Sequence, residues 1–171
     1  SMDDKIRSII GKNVKAIRKS IGLSLLDFSI VLSISKASVV KIESGKTGYN
    51  VDLLDNIISF SKCTLSELSN KDFMPSANLR DKLIKVHKQH PQFYSILSQR
   101  PEISYAIKFK LLESDFLDIP REINEIKKFF EKHGWSYIGT SISNALKRLP
   151  NLIEVNEHGE KKNTFVYSRK K

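Results

Sequence analysis

Apolar residues recur at spacings of three and four from the start of the chain: Ile6, Ile9, Ile10, Val14, Ile17 and Ile21. That period is the signature of one buried helix face, and it predicts an amphipathic first helix stopped by Gly22. Ser24 is placed to cap a second helix with Leu25, Phe28 and Leu32 on one side. Ser35 opens a third, whose inner residues are Val39 and Ile42 and which Gly45 ends, and Gly48-Tyr49-Asn50 reads as a loop. Leu53, Leu54, Ile57, Ile58 and Phe60 mark a fourth helix. A short fifth follows at Thr64-Leu65-Ser66-Glu67-Leu68, with Thr64 and Glu67 at capping-box spacing.

The patterning breaks at Asn70-Lys71-Asp72 with Met74-Pro75-Ser76, and again at Asp118-Ile119-Pro120. Between the breaks, Ile103, Ile107 and Leu111 form one stripe and Tyr105, Phe109, Leu112 and Phe116 another, so this helix is expected to be buried on two sides. Packing between two end domains and a homodimer interface both account for it, and Val86, Phe93, Ile96 and Leu97 supply further core to either. After the second break, Pro120 suits a helix first turn, Ile123, Ile126, Phe129 and Phe130 give its buried side, and Gly134 stops it. Thr140 then caps a helix carrying Ile142, Ala145, Leu146 and Leu149 inward, which Pro150 ends. Leu152-Ile153-Glu154-Val155 and Thr164-Phe165-Val166-Tyr167 read as two strands joined by a turn at His158-Gly159. The expected fold class is therefore mainly α with a small β-hairpin, divided into residues 1–73, 74–118 and 119–171.

Composition excludes several classes. The chain has 171 residues, 40% hydrophobic and 28% charged, so collagenous and wholly disordered readings fall away. A net charge of +10 favours a polyanionic partner, and it is concentrated at the ends: +3, +2 and +5 in the three segments. Cys63 is the single cysteine, which rules out an intramolecular disulfide and a Cys-x-x-Cys zinc site, and it reads as inert packing. The most apolar stretch, Leu23 to Val40, is interrupted by Asp27, Lys36 and five serines and is too polar to span a bilayer. No secretory apolar run follows the start, Ser1 before Met2 reads as a tag-cleavage scar, and a cytoplasmic location with no membrane partner is expected.

Two short helices with a tight turn, the second having a narrow apolar stripe and a polar outer face, suit the major groove of DNA. With Phe28, Leu32, Ile34, Val39 and Ile42 inward, Ser35, Lys36, Ala37, Ser38, Val40 and Lys41 are left outside or at the edge. The stretch Ile34-Ser35-Lys36-Ala37-Ser38-Val39-Val40-Lys41-Ile42-Glu43-Ser44-Gly45-Lys46 resembles the recognition helix of the lambda-repressor/Cro-like helix-turn-helix family, also called the XRE family. The resemblance runs over residues 9–68 and includes Leu23-Ser24, the Ile-Glu-x-Gly-Lys close of the third helix, and the Leu-Ser-Glu-Leu tail. It implies a five-helix domain in which Lys36, Ala37, Val40 and Lys41 of the recognition helix (34–44) read bases. Ser38 then lies nearer the phosphates, with Ser35 and Lys46 flanking. Leu25 stands where the family usually has Gln, Ser33 where it has the turn glycine, and Ser29 where it has a small Ala. Glu43 matches an acid whose role in the family is structural. Outside that frame, Lys36 and Lys41 read as a solvated face.

Helix, helix and hairpin over residues 119–171 resemble a winged helix-turn-helix domain, with Ile-Ser-Asn-Ala-Leu-Lys-Arg-Leu as its recognition helix. The resemblance implies a second DNA contact through Ser141, Ser143, Asn144, Lys147 and Arg148, with Lys161 and Lys162 at the wing tip and the Arg169-Lys170-Lys171 tail adding charge. A dimerisation or docking module is the other reading of the same fold.

His87 and His90 lie three apart, but no carboxylate or cysteine completes a metal site, so both read as solvated. There is no His-Glu-x-x-His, Gly-rich phosphate loop or Gly-x-Ser-x-Gly. The expectation is a non-enzymatic transcriptional regulator without cofactors, whose partner is double-stranded DNA and which forms a homodimer if the middle helices pair. The rival reading is a protein-interaction or assembly module of antitoxin-like character.

Overall fold

Gly22 takes a φ of +76°, which glycine reaches without a Cβ penalty, and the first helix ends there as its pattern predicts. The computed structural model describes residues 2–46 and 50–171, so Gly48 and Tyr49 of the expected loop lie outside the described residues. The first part of the chain folds as α1 (Met2–Ile21), α2 (Leu25–Leu32), α3 (Lys36–Glu43), α4 (Val51–Ser61) and α5 (Leu65–Leu68). The side chains of Ser24, Ser35, Asn50 and Thr64 accept the backbone N–H groups of Asp27, Ser38, Leu53 and Glu67, which satisfies donors that a helix start leaves unpaired. Thr64 and Glu67 close their capping box on both sides. α3 finishes at a Ser44 cap, one residue before the expected stop at Gly45. Ile10, Val14, Ile17 and Ile21 of α1 meet Phe28, Leu32, Val39, Ile57 and Phe60 in one core.

That core does not stop at residue 73. α6 (Leu79–Val86) and α7 (Pro91–Leu97) place Leu79, Leu83, Ile96 and Leu97 in it, and the chain separates into two units at Gln99 and Arg100. The 74–118 segment is thus divided between the units rather than standing between them. The polar break near residue 75 ends a helix, but the apolar stripe beyond it still has to be buried, and the face offered by α1, α2 and α4 buries it. Val86 alone of the four residues assigned to a middle core stays exposed, at 55%.

Two buried polar side chains fasten this unit. Arg80 donates to the carbonyls of Ile21 (2.6 Å), Leu97 (2.6 Å) and Gln99 (2.7 Å), serving the C-terminal ends of α1 and α7. Asn13 does the same for α5, donating to Leu68 and Asn70, each at 2.8 Å. His87 is not solvated: it is buried, its Nε2 lies 2.7 Å from the Phe60 carbonyl, and its ring stacks on Phe60 with centroids 5.4 Å apart. His90 caps α7, its Nδ1 accepting from the Phe93 N–H at 3.2 Å. Among the described residues no cluster of three metal-ligating side chains occurs.

The second unit, Arg100–Lys171, begins with α8 (Ile103–Ala106), which runs into a π-helical stretch over Ile107–Leu111. The wider π turn, with Leu112 N–H bonded to Ile107 O at 2.9 Å, accommodates both apolar stripes of this segment: Ile107 and Leu111 are buried while Leu112 and Phe116 pack against the same core. α9 (Ile123–Glu131) starts at a capping box made by Glu122 and Glu125, so Pro120 lies before the helix and not in its first turn. α10 (Gly139–Lys147) is capped at Ile138, which puts Thr140 inside the first turn rather than at the cap. β1 (Ile153–Glu157) and β2 (Phe165–Arg169) pair antiparallel with Val155 opposite Tyr167, and Arg121 adds a bridge to Tyr167. Ile126, Phe130, Ile142, Leu146, Ile153 and Tyr167 form the core beneath them. The protein is mainly helical with one small C-terminal hairpin.

Candidate nucleic-acid interface

The inner side of α3 is held at three points. Val39 and Ile42 are buried against the first unit's other helices. Arg18 of α1 grips Glu43 through both carboxylate oxygens, Nε at 2.7 Å and the second nitrogen at 3.0 Å, with both side chains almost wholly buried. Arg18 also donates to Leu23 O at 3.2 Å, so the pair is hydrogen-bonded beyond its own contact, as a buried ion pair requires. Gly11 lets α1 approach the last turn of α3 so closely that a Cβ there would fall within 3.0 Å of Glu43 O and closer still to Ile42 O.

The outer side is correspondingly clear. Ser35, Lys36, Ala37, Val40 and Lys41 are exposed, Ser38 is half-buried, and Lys46 is exposed beyond the helix. Lys36 and Val40, like Ala37 and Lys41, are four apart, so the four share one face. Ser35 is partly committed, since its Oγ accepts the Ser38 N–H at 3.0 Å and lies 2.8 Å from the Ser38 Oγ. Ser33 holds a left-handed φ of +57° in the turn, the conformation for which glycine is usual, and Ser29 is buried with its hydroxyl donating to Leu26 O at 2.6 Å. Exposed Leu26 and Ile30 lie on the outer side of α2.

The second unit offers a less basic surface than its sequence suggests. Asn144, Lys147, Arg148 and Lys162 are exposed, whereas Ser141 and Ser143 are half-buried. Lys147 Nζ lies 5.7 Å from the Phe165 ring centroid, a cation–π contact within the hairpin side of α10. Lys161 pairs with Glu122 at 2.8 Å, and that contact holds its ammonium pKa above the ordinary lysine value. His158 sits 3.5 Å from the same carboxylate. Burial pushes the Tyr167 phenol up, with a side-chain hydrogen bond to Ser143 acting against it. Exposed Glu154, Glu157 and Glu160 share the hairpin with Lys161 and Lys162. The expected basic tail is partly built in: Arg169 lies in β2, bonded to Asp118 at 3.2 Å and to Ser114 O at 2.8 Å.

Arg18 and Gly11, which set the pitch of α3, were not singled out by the sequence patterning. A glycine amid the strong apolar period of α1 was the available signal for the close approach. Nothing local marks Arg18, whose partner is 25 residues away.

Antitoxin PezA of Streptococcus pneumoniae is 30% identical to this chain over 66 residues, which is 39% of the chain and 42% of that protein. The matched part therefore spans about two-fifths of the relative's length. No family model matches the chain, and no solved structure does. Among the described residues no helix is long and apolar enough to cross a membrane.

Proposed function

We propose that the chain is a sequence-specific, double-stranded DNA-binding transcriptional regulator of the XRE type. In this reading it is a binding protein rather than an enzyme, and it acts in the cytoplasm by occupying a promoter. The observation that carries the reading is α3 itself: one side is locked by Val39, Ile42 and the Arg18–Glu43 pair, and the other presents Lys36, Ala37, Val40 and Lys41 outward. A groove-reading helix needs that combination, because base contacts are selective only when the backbone behind them cannot shift. Each lysine donates to guanine O6 and N7, while Ala37 and Val40 meet thymine methyl groups. Lys36→Ala and Lys41→Ala each cost about 1–3 kcal/mol of specific affinity and relax preference at one or two base pairs, leaving the melting temperature unchanged. Operator binding by both variants that equals the parent's, on a site selected from a random duplex pool, would overturn the assignment.

A second reading concerns the C-terminal winged helix. The match to an antitoxin favours a protein partner, such as a toxin, for the chain, and the mixed charge of the hairpin favours this unit as its place, with the α3 head keeping its DNA role. Co-purification of the chain with such a partner through residues 100–171 supports this reading; DNA contact by Arg148 and Lys162 removes it.

A further inference from the structure

A cavity of about 530 Å³ lies in the first unit, between the segment joining α4 to α5 and the face of α6. Its volume falls in the range of small-molecule sites, about 300–1,000 Å³. The inner wall is apolar: Cys63, Leu79 and Leu83 are buried there and Phe73 is half-buried. At the mouth the chain leaves two large apolar side chains in water, Met74 at 85% exposure and Val86 at 55%. Isolated exposed apolar residues are ordinary, but two of them rimming one concavity are a patch with a floor.

The charge around the mouth is mainly positive, three lysines to one acid. Lys62, Lys82 and Lys85 line it and are exposed, and among the described residues none of them forms an ion pair. Glu67 is the one acid in the lining, and its carboxylate is already committed, accepting the Thr64 N–H at 2.9 Å and the Thr64 hydroxyl at 3.2 Å in the α5 cap. Lysine stems cover apolar surface while their ammonium groups stay at the edge, so the cavity offers an apolar interior under a cationic rim. Burial also pushes the Cys63 thiol pKa up, which keeps the floor uncharged.

We infer that this cavity binds a small amphipathic anion, a free monomeric carboxylate with an apolar body, whose chain lies on Phe73, Leu79 and Leu83 and whose carboxylate meets the lysine rim. The inference stands independently of DNA binding, since the cavity shares no residue with the outer face of α3.

Decanoate, titrated below its micelle-forming concentration into the full chain and followed by calorimetry, tests it. One saturable site per chain is expected, weakened at least tenfold by Lys82→Glu combined with Lys85→Glu, and at least tenfold by Val86→Glu. These positions are exposed, so thermal melting is expected to stay at the parent's value. Decyltrimethylammonium, with the same chain length and opposite charge, is expected to bind at least tenfold more weakly. Four outcomes overturn the proposal: no saturable heat, equal binding by the charge-reversed variant, equal binding by the cation, or binding seen only with phosphatidylglycerol vesicles. A dimer of the parent that Val86→Glu converts to monomer would also overturn it, assigning the patch to a second copy of the chain.

Discussion

Gly11 has α3 running against it where any other residue would carry a side chain. Replacing it by alanine improves helix propensity by about 1 kcal/mol, yet the new methyl group meets the backbone carbonyls of Ile42 and Glu43, which no rotamer change moves. Overpacking of that kind costs about 1–3 kcal/mol, so Gly11→Ala is expected to lower the melting temperature by several degrees. Relief comes only by moving α3, so if α3 reads DNA as proposed, operator affinity falls as well, and a variant that melts lower yet binds DNA like the parent would detach α3 from that role. Ser33 makes the opposite case. A non-glycine residue in the left-handed region costs about 1–2 kcal/mol, against about 0.5–1 kcal/mol of extra chain entropy that glycine brings. Ser33→Gly is therefore expected to raise stability by up to about 1.5 kcal/mol, read as a higher urea midpoint with an unchanged m-value, and a fall would show that the serine hydroxyl contributes more than the strain removes.

At the scale of elements, what the sequence displays and what it hides divide by the distance over which a residue acts. Ser24, Ser35 and Thr64 were legible as caps because a cap reaches only to the third residue ahead. The outer face of α3 was legible because Val39 and Ile42 fix its phase. The membership of α6 and α7 was not, since a polar break reports that a helix ends and not which core the next stripe enters. Pro120 and Thr140 each suit a helix start by local preference, and the tertiary contact of Arg121 with Tyr167 and the backbone of Ile138 set the starts instead. Arg80 carries no local signal in the sequence and is the buried donor to three carbonyls at two helix ends. Arg80→Met keeps the apolar stem and removes the donors, and a buried carbonyl left unpaired costs about 1–3 kcal/mol. The expected result is an earlier thermal transition of the first unit and faster hydrogen exchange in the last turns of α1 and α7, with the second unit unaffected. Uniform exchange rates across both helices in parent and variant would remove Arg80 from that role.

For the whole molecule the division at Gln99 changes which fragment is informative. Residues 1–73 lack Leu79, Leu83, Ile96 and Leu97, and leave Phe60 without the His87 ring that stacks on it, so this fragment is expected to melt well below 1–99. Residues 1–99 are the proper reference for the intact chain on DNA. Each phosphate neutralised adds about 0.9 to the slope of log affinity against log salt, and a second DNA-binding unit on the same chain also lengthens the footprint and raises affinity through effective concentration. If the second unit touches DNA, the full chain shows a steeper slope than 1–99, and Lys147→Glu with Arg148→Glu and Lys162→Glu returns it to the fragment's value while any base preference at α3 is kept. Lys161 belongs outside that set, because its ammonium already faces Glu122 at 2.8 Å and reversing it would also repel the cap of α9. The acids on the hairpin argue for a small increment at most, one or two phosphates in place of the four basic positions on α10 and the hairpin turn. Equal slopes and equal footprints for the full chain and 1–99, compared at matched oligomeric state, would instead leave the C-terminal unit as a surface for protein.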